Sequence, residues 1–126
     1  MRRFTLSVPF PVPLHACFVK SKGGTGAPSK RYRDYGKAFA QAVASQGHPR
    51  AEGQVSVHVA YCAPDGRARD AGNLHKCLYD NLVRAGVITD DSNKVVLSET
   101  TVWVHDRSPC VVTITELLPR PEDVPC

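Results

Sequence analysis

Carboxylates, a lysine and two arginines crowd into one short stretch of this chain. Arg67-Ala68-Arg69-Asp70-Ala71-Gly72-Asn73-Leu74-His75-Lys76 reads as a loop entering a helix, and Asp90-Asp91 comes later, just before the start of a strand. Hard oxygen donors of this kind suit Mg²⁺, which keeps several waters and binds through one or two carboxylates together with substrate phosphate. Such an ion stabilises charge on phosphorus oxygens and acidifies an attacking water. If loop, helix start and strand start converge at one end of a sheet, Asp70, Asp90 and Asp91 become metal ligands. Lys76, one turn into the helix, then faces the same cleft and neutralises a phosphate. Two plainer roles stay open on spacing alone: Asp70 as a cap for the helix, and Asp90-Asp91 as a turn.

The charge distribution points to the same kind of substrate. Residues 1 to 50 carry nine Lys/Arg against a single acid, Asp34, whereas residues 51 to 126 carry seven bases and eleven acids. The total of +4 therefore hides a basic half and an acidic half. That asymmetry suggests a polyanionic partner, with Lys20, Lys22, Lys30, Arg31, Arg33, Arg67 and Arg69 as candidate phosphate contacts. A solvated basic face is the simpler alternative. Gly23-Gly24-Thr25-Gly26 lacks the Gly-Lys-Ser/Thr ending of a phosphate-binding loop and carries no nucleotide-binding weight.

The elements that must position these residues are legible from periodicity. A length of 126 residues suits one domain, and 42% apolar with 22% charged residues excludes disorder of the whole chain. No run approaches the roughly 18 apolar residues of a membrane span. Phe4, Leu6 and Val8 alternate with polar residues, predicting a strand that Pro9, Pro11 and Pro13 end. The stretch from Pro11 to Lys30 reads as a mobile basic loop. A helix over about 31 to 46, capped by Ser29 and ended by Gly47, is predicted by Tyr32, Tyr35, Phe39 and Val43. Val55, Val57, Val59 and Tyr61 predict a strand over 54 to 62. Leu74, Cys77, Leu78 and Leu82 form one stripe of a helix from Asn73 to Ala85 that Gly86 terminates. Strands over 94 to 104 and 110 to 117 complete the order β-α-β-α-β-β, an α+β domain with two helices packed on one mixed sheet. That domain covers residues 1 to 118, with a loose Pro-rich tail over 119 to 126.

Five cysteines, at 17, 62, 77, 110 and 126, form no C-x-x-C pair and are odd in number, which argues against a zinc ribbon or a disulfide framework and favours a reducing cytoplasm. Cys62, Cys77 and Cys110 read as core residues. The opening Met1-Arg2-Arg3 with Cys17 imitates a lipoprotein export signal, but the three prolines break its apolar stretch.

Asp70-Ala71-Gly72-Asn73-Leu74-His75-Lys76 resembles the Asp-x-Asp-Asn-Leu-x-Lys motif of RusA-type Holliday junction resolvases. The Leu78-Tyr79-Asp80 to Gly86 stretch with Asp90-Asp91 resembles the segment C-terminal to the motif in that family, and Val8-Pro9-Phe10-Pro11 and Val112 to Glu116 resemble its two ends. The resemblance implies a homodimeric endonuclease, frequent in phages and prophages, that binds four-way DNA junctions and nicks two strands symmetrically with Mg²⁺ or Mn²⁺. Asp70 and Asp91 would bind metal with Asp90 assisting, Lys76 would be the essential lysine and Arg69 a phosphate contact. The sequence departs from the pattern at Gly72, where the second acid is missing. Either Asp65, Asp90 or Glu99 replaces that carboxylate, or the protein binds junctions without cutting them.

Overall fold

The computed structural model describes residues 2–20 and 26–117, so Lys22 and the expected tail over 119–126 lie outside the described residues. In chain order the elements are β1 (Arg3–Val8), α1 (Leu14–Cys17), β2 (Phe18–Val19), β3 (Ala27–Pro28), α2 (Lys30–Ser45), β4 (Val55–Tyr61), α3 (Gly72–Arg84), β5 (Val96–Trp103) and β6 (Cys110–Glu116). Four strands form one mixed sheet in the order β1-β6-β4-β5. β6 runs antiparallel to both β1 and β4, while β4 and β5 are parallel. This is the predicted α+β domain.

Register explains why one face of the sheet is core. Leu6 pairs with Val112, Val112 with Val59, Val8 with Cys110 and Cys110 with Tyr61, and all of these are buried. With a side-chain period of two, these residues share a face. The opposite face carries Thr5, Thr113 and His58 in one row, with the Thr5 and Thr113 hydroxyls 3.1 Å apart. The two long helices lay their apolar stripes on the core: Tyr32, Tyr35, Phe39 and Val43 from α2, Leu74, Cys77, Leu78 and Leu82 from α3. Ser29 caps α2 as expected, its Oγ accepting from the Tyr32 N–H at 3.1 Å. Gly86, at φ +76°, ends α3 in a left-handed conformation that favours glycine.

The described parts of the basic stretch, residues 11–20 and 26–30, carry secondary structure where the sequence suggests a loop. A four-residue helix and a two-strand ladder, Phe18 with Pro28 and Val19 with Ala27, occupy them. Strands of two residues are too short to show a periodic pattern. What holds them is tertiary: Phe18 stacks on Tyr32 at 5.6 Å, and Ser29 Oγ donates to the Ala16 carbonyl at 2.6 Å. Cys17, Cys77 and Cys110 are buried, and Cys62 is half-buried with its Sγ donating to the Asp106 carbonyl.

Because Leu78 is fully buried between α3 and the sheet, Leu78→Ala is expected to cost about 2–5 kcal/mol in a denaturant titration. Thr5→Ala, on the exposed face, is expected to cost under about 1 kcal/mol. Equal losses would contradict this assignment of the core.

Candidate functional site: an arginine-lined cleft at the start of α3

Parallel strands cannot be joined by a hairpin, so the chain must cross back over the sheet between β4 and β5, and α3 makes that crossing. The loop from Cys62 to Ala71 therefore leaves from the carboxyl end of β4. The loop from Ala85 to Val95 lies at the opposite end, where Ala51 donates to the Val87 carbonyl and Val55 to the Val95 carbonyl, each at 2.8 Å. Asp70 and the Asp90-Asp91 pair consequently sit at opposite ends of α3. The convergence expected from the sequence does not occur within one chain, since a helix start and the start of the next parallel strand fall at opposite ends of the strands. Among the described residues, no three His, Cys, Asp or Glu side chains form a group that could hold a metal ion.

At the Asp70 end the loop folds around one carboxylate. Asp65 Oδ1 accepts from the backbone N–H of Arg67 at 2.9 Å, and the Arg67 guanidinium donates to Asp65 Oδ2 at 3.1 Å. Arg69 approaches the same carboxylate with both terminal nitrogens, at 2.9 and 3.0 Å, and its guanidinium lies 5.8 Å from the centre of the Phe10 ring. Planar bidentate pairing and stacking on an aromatic face are what a guanidinium offers and an ammonium does not. The Arg69 side chain is only 18% exposed, while that of Arg67 is 81% exposed. Both arginines are thus held by Asp65, Arg69 largely shielded and Arg67 facing solvent. Together they line a cleft of about 420 Å³ with Phe10, His15, Arg31, Asp70 and Asn73.

Asp70 itself stands at the mouth of α3. Its Oδ1 accepts from the Gly72 N–H at 2.9 Å, a turn just ahead of the helix, whose cap position is Ala71 and carries no side-chain hydrogen bond. A Cβ placed on Gly72 would lie 3.3 Å from that same oxygen. An acid at position 72 would therefore emerge directly beside Asp70, and here glycine leaves Asp70 without that neighbour. Asp65 shares the cleft but is taken by two guanidiniums. Asp90 accepts from the Asp91 N–H at 2.9 Å, and hydrogen bonds from Ser92 and then from this N–H hold its carboxyl below the usual range. Glu99 sits in mid-β5 opposite Val57. None of the three candidate replacements is free at Asp70.

Lys76 does not line the cleft. Its Nζ donates to Asp80 Oδ2 at 3.1 Å, and the same oxygen accepts from the Tyr32 hydroxyl at 3.0 Å. Burial, and after it this hydrogen bond, pushes the Tyr32 pKa up to about 12. Asp80 thereby tethers Lys76 toward α2. Of the other basic candidates, Arg31 joins the cleft, whereas Lys30 pairs with Asp34 at 2.7 Å and the exposed Lys20 and Arg33 stand outside its lining.

Sequence reasoning missed Asp65 as the clamp and overlooked Phe10, His75 and Trp103. His75 Nδ1 is 3.0 Å from the Tyr61 hydroxyl and its Nε2 is 3.3 Å from the Thr101 hydroxyl, with its ring stacked on Tyr61. The Asp65-Gly66-Arg67-Ala68-Arg69 spacing, an acid two and four residues from arginines, was the available signal for the clamp.

A cleft of guanidiniums with an aromatic wall, in which two arginines clamp Asp65 beside the exposed Asp70, suits a phosphodiester better than a neutral or cationic ligand. The family model described as Endodeoxyribonuclease RusA matches residues 9–115, and the chain belongs to this family of Holliday junction resolvases, which are hydrolases that typically depend on Mg²⁺. No curated protein matches the chain. No helix of the described residues is long and apolar enough to cross a membrane.

Hydrogen bonds from Arg69 and then Arg67 hold the Asp65 carboxyl well below the usual carboxylate range. A lowered folded-state pKa means the clamp is fully formed above the ordinary Asp value of about 3.9 and is lost only as pH falls through the lower folded value. An NMR titration of the Asp65 carboxyl carbon should give a midpoint well below that ordinary value. A midpoint at the ordinary value would show that the two arginines do not hold it in solution.

Proposed function

We propose that the protein is a Mg²⁺-dependent, structure-selective endodeoxyribonuclease that acts as a homodimer on four-way DNA junctions and resolves them by paired symmetric nicks. The observation that carries this reading is the cleft, in which Arg31, Arg67 and Arg69 surround Asp70 at the start of α3 in a chain of the RusA family. Arg69, fixed by Asp65 and Phe10, offers a pre-oriented donor set to a phosphate and loses little side-chain entropy on binding. Arg31 and the solvent-facing Arg67 reach flanking phosphates. Lys76, released from Asp80 or moving with it, neutralises charge at the cut.

Asp70 and Asp91 would hold Mg²⁺, with Asp90 fixing the turn that presents Asp91. Their hard carboxylate oxygens fit this ion, which needs only one or two carboxylates when phosphate oxygens and waters complete its shell. When bound it supplies charge stabilisation at phosphorus and a more acidic attacking water. The separation of Asp70 from Asp91 within a chain gives the dimer a physical role: a site that uses both needs one from each subunit. Two-fold symmetry then creates two equal sites, as two equal cuts on a two-fold junction require.

A second reading, junction binding without hydrolysis, is favoured by one observation: at Gly72 no side chain shares the Asp70 site. End-labelled, branch-migratable junctions incubated with and without Mg²⁺ separate the two. The nuclease reading expects paired nicks that need Mg²⁺ and fall by at least about two orders of magnitude in Asp91→Asn. Binding without nicks, together with nicks gained in Gly72→Asp, would establish the second reading. No binding to junctions would overturn both.

A further inference from the structure

We propose that Trp103 is a stacking platform for an unpaired base beside the arginine cleft, and that it contributes to selection of branched over fully paired DNA. This rests on the junction-binding reading above. Trp103 is the only tryptophan of the chain and the last residue of β5, paired with Tyr61 in the register of the sheet. It lies on the face that is core elsewhere, yet it is 42% exposed because β5 is an edge strand. Its ring is supported from behind, 5.3 Å from the Tyr61 ring and 6.4 Å from the Phe10 ring. Tyr61 is in turn fully buried and tied to His75. A rigid backing on one side and solvent on the other is what a stacking base requires.

The surroundings indicate which molecule covers that surface. Trp103 lines a shallow cleft of about 290 Å³ with Arg67, Arg69 and the Asp65 that pairs with both, a net positive lining, and Gly66, which meets nothing within 4 Å in the direction of a side chain, leaves it open. An aromatic face flanked by guanidiniums matches a nucleotide, with the base on the ring and its phosphate on the arginines. The nearest exposed apolar residue of the same strand, Leu97, is at its far end beyond Ser98, Glu99 and Thr100. That interruption disfavours a continuous apolar interface with a second copy. In a duplex the bases are stacked on one another, whereas a branch point can release one at low cost, so stacking here rewards branched DNA.

The single tryptophan permits a direct test. The full chain is titrated without divalent metal against an immobile four-way junction and against a duplex of equal length, with Trp103 emission and affinity recorded together. The expected result is quenching by the junction that is several-fold deeper than by the duplex. Trp103→Ala should weaken junction binding about tenfold, the scale of a single base stacked on an aromatic ring, and leave duplex binding within about twofold. Trp103→Phe, which keeps both the packing on Tyr61 and the aromatic face, should restore junction binding. Tight junction binding with unchanged emission overturns the platform while the junction reading stands. Emission that shifts with protein concentration alone overturns it in favour of a second copy on this face. Absence of any junction binding overturns the junction reading, and the platform with it.

Discussion

The parallel pairing of β4 with β5 constrains everything else in this molecule. It obliges the chain to cross the sheet, it makes α3 the crossing, and it assigns the two acidic segments to opposite ends of that helix. The packing has the same origin, because α3 can lie on the sheet only by burying Leu74, Cys77, Leu78 and Leu82 against the Val55, Val57, Val59 and Tyr61 row. Leu82 and Leu78 therefore fix the height at which Asp70 and Lys76 emerge. Under the proposed function, a metal centre using both ends of α3 would require a second chain.

At the Asp70 end, electrostatics rather than apolar packing organises the surface. Asp65 holds two guanidiniums that would otherwise repel each other, and Phe10 offers its ring to one of them. The Arg67 pair is exposed and the Asp65 carboxylate open to solvent in both, so their intrinsic contribution to stability is small. Their effect is on shape: Asp65 gathers the two guanidiniums at one place. Removing the carboxylate would leave more free charge but less order, and under the proposed function the balance between the two would set the affinity of the cleft for a phosphodiester.

Most of the fold was legible because its elements are long and periodic. The helices from Ser29 and from the Asn73 region, the Val55 to Tyr61 strand and the terminators Gly47 and Gly86 all fall where local pattern puts them. The ladder of Phe18 and Val19 with Ala27 and Pro28 was not legible, since it is held by interactions with Tyr32 and Ala16. The site was readable as a segment but not as a geometry. Spacing along Arg67 to Lys76 identified the right loop, yet the placement of Asp91 depended on whether β5 lies parallel to β4, which no local pattern states. Phe10 and Trp103 meet only because β1, β4 and β5 run in one direction and finish at the same end of the sheet. Membership of the family adds what neither pattern nor geometry supplies alone, the class of reaction.

If DNA phosphate is held in the cleft of Arg31, Arg67 and Arg69, salt must reveal it. The most direct measurement is the salt dependence of junction affinity in the wild type and in Arg31→Ala, Arg67→Ala and the double variant. Removing one phosphate contact should reduce the slope of log affinity against log salt by about one, so successive decreases of that size are expected. A slope that stays at the wild-type value in the double variant would place the DNA elsewhere on the molecule and contradict the role given to the cleft.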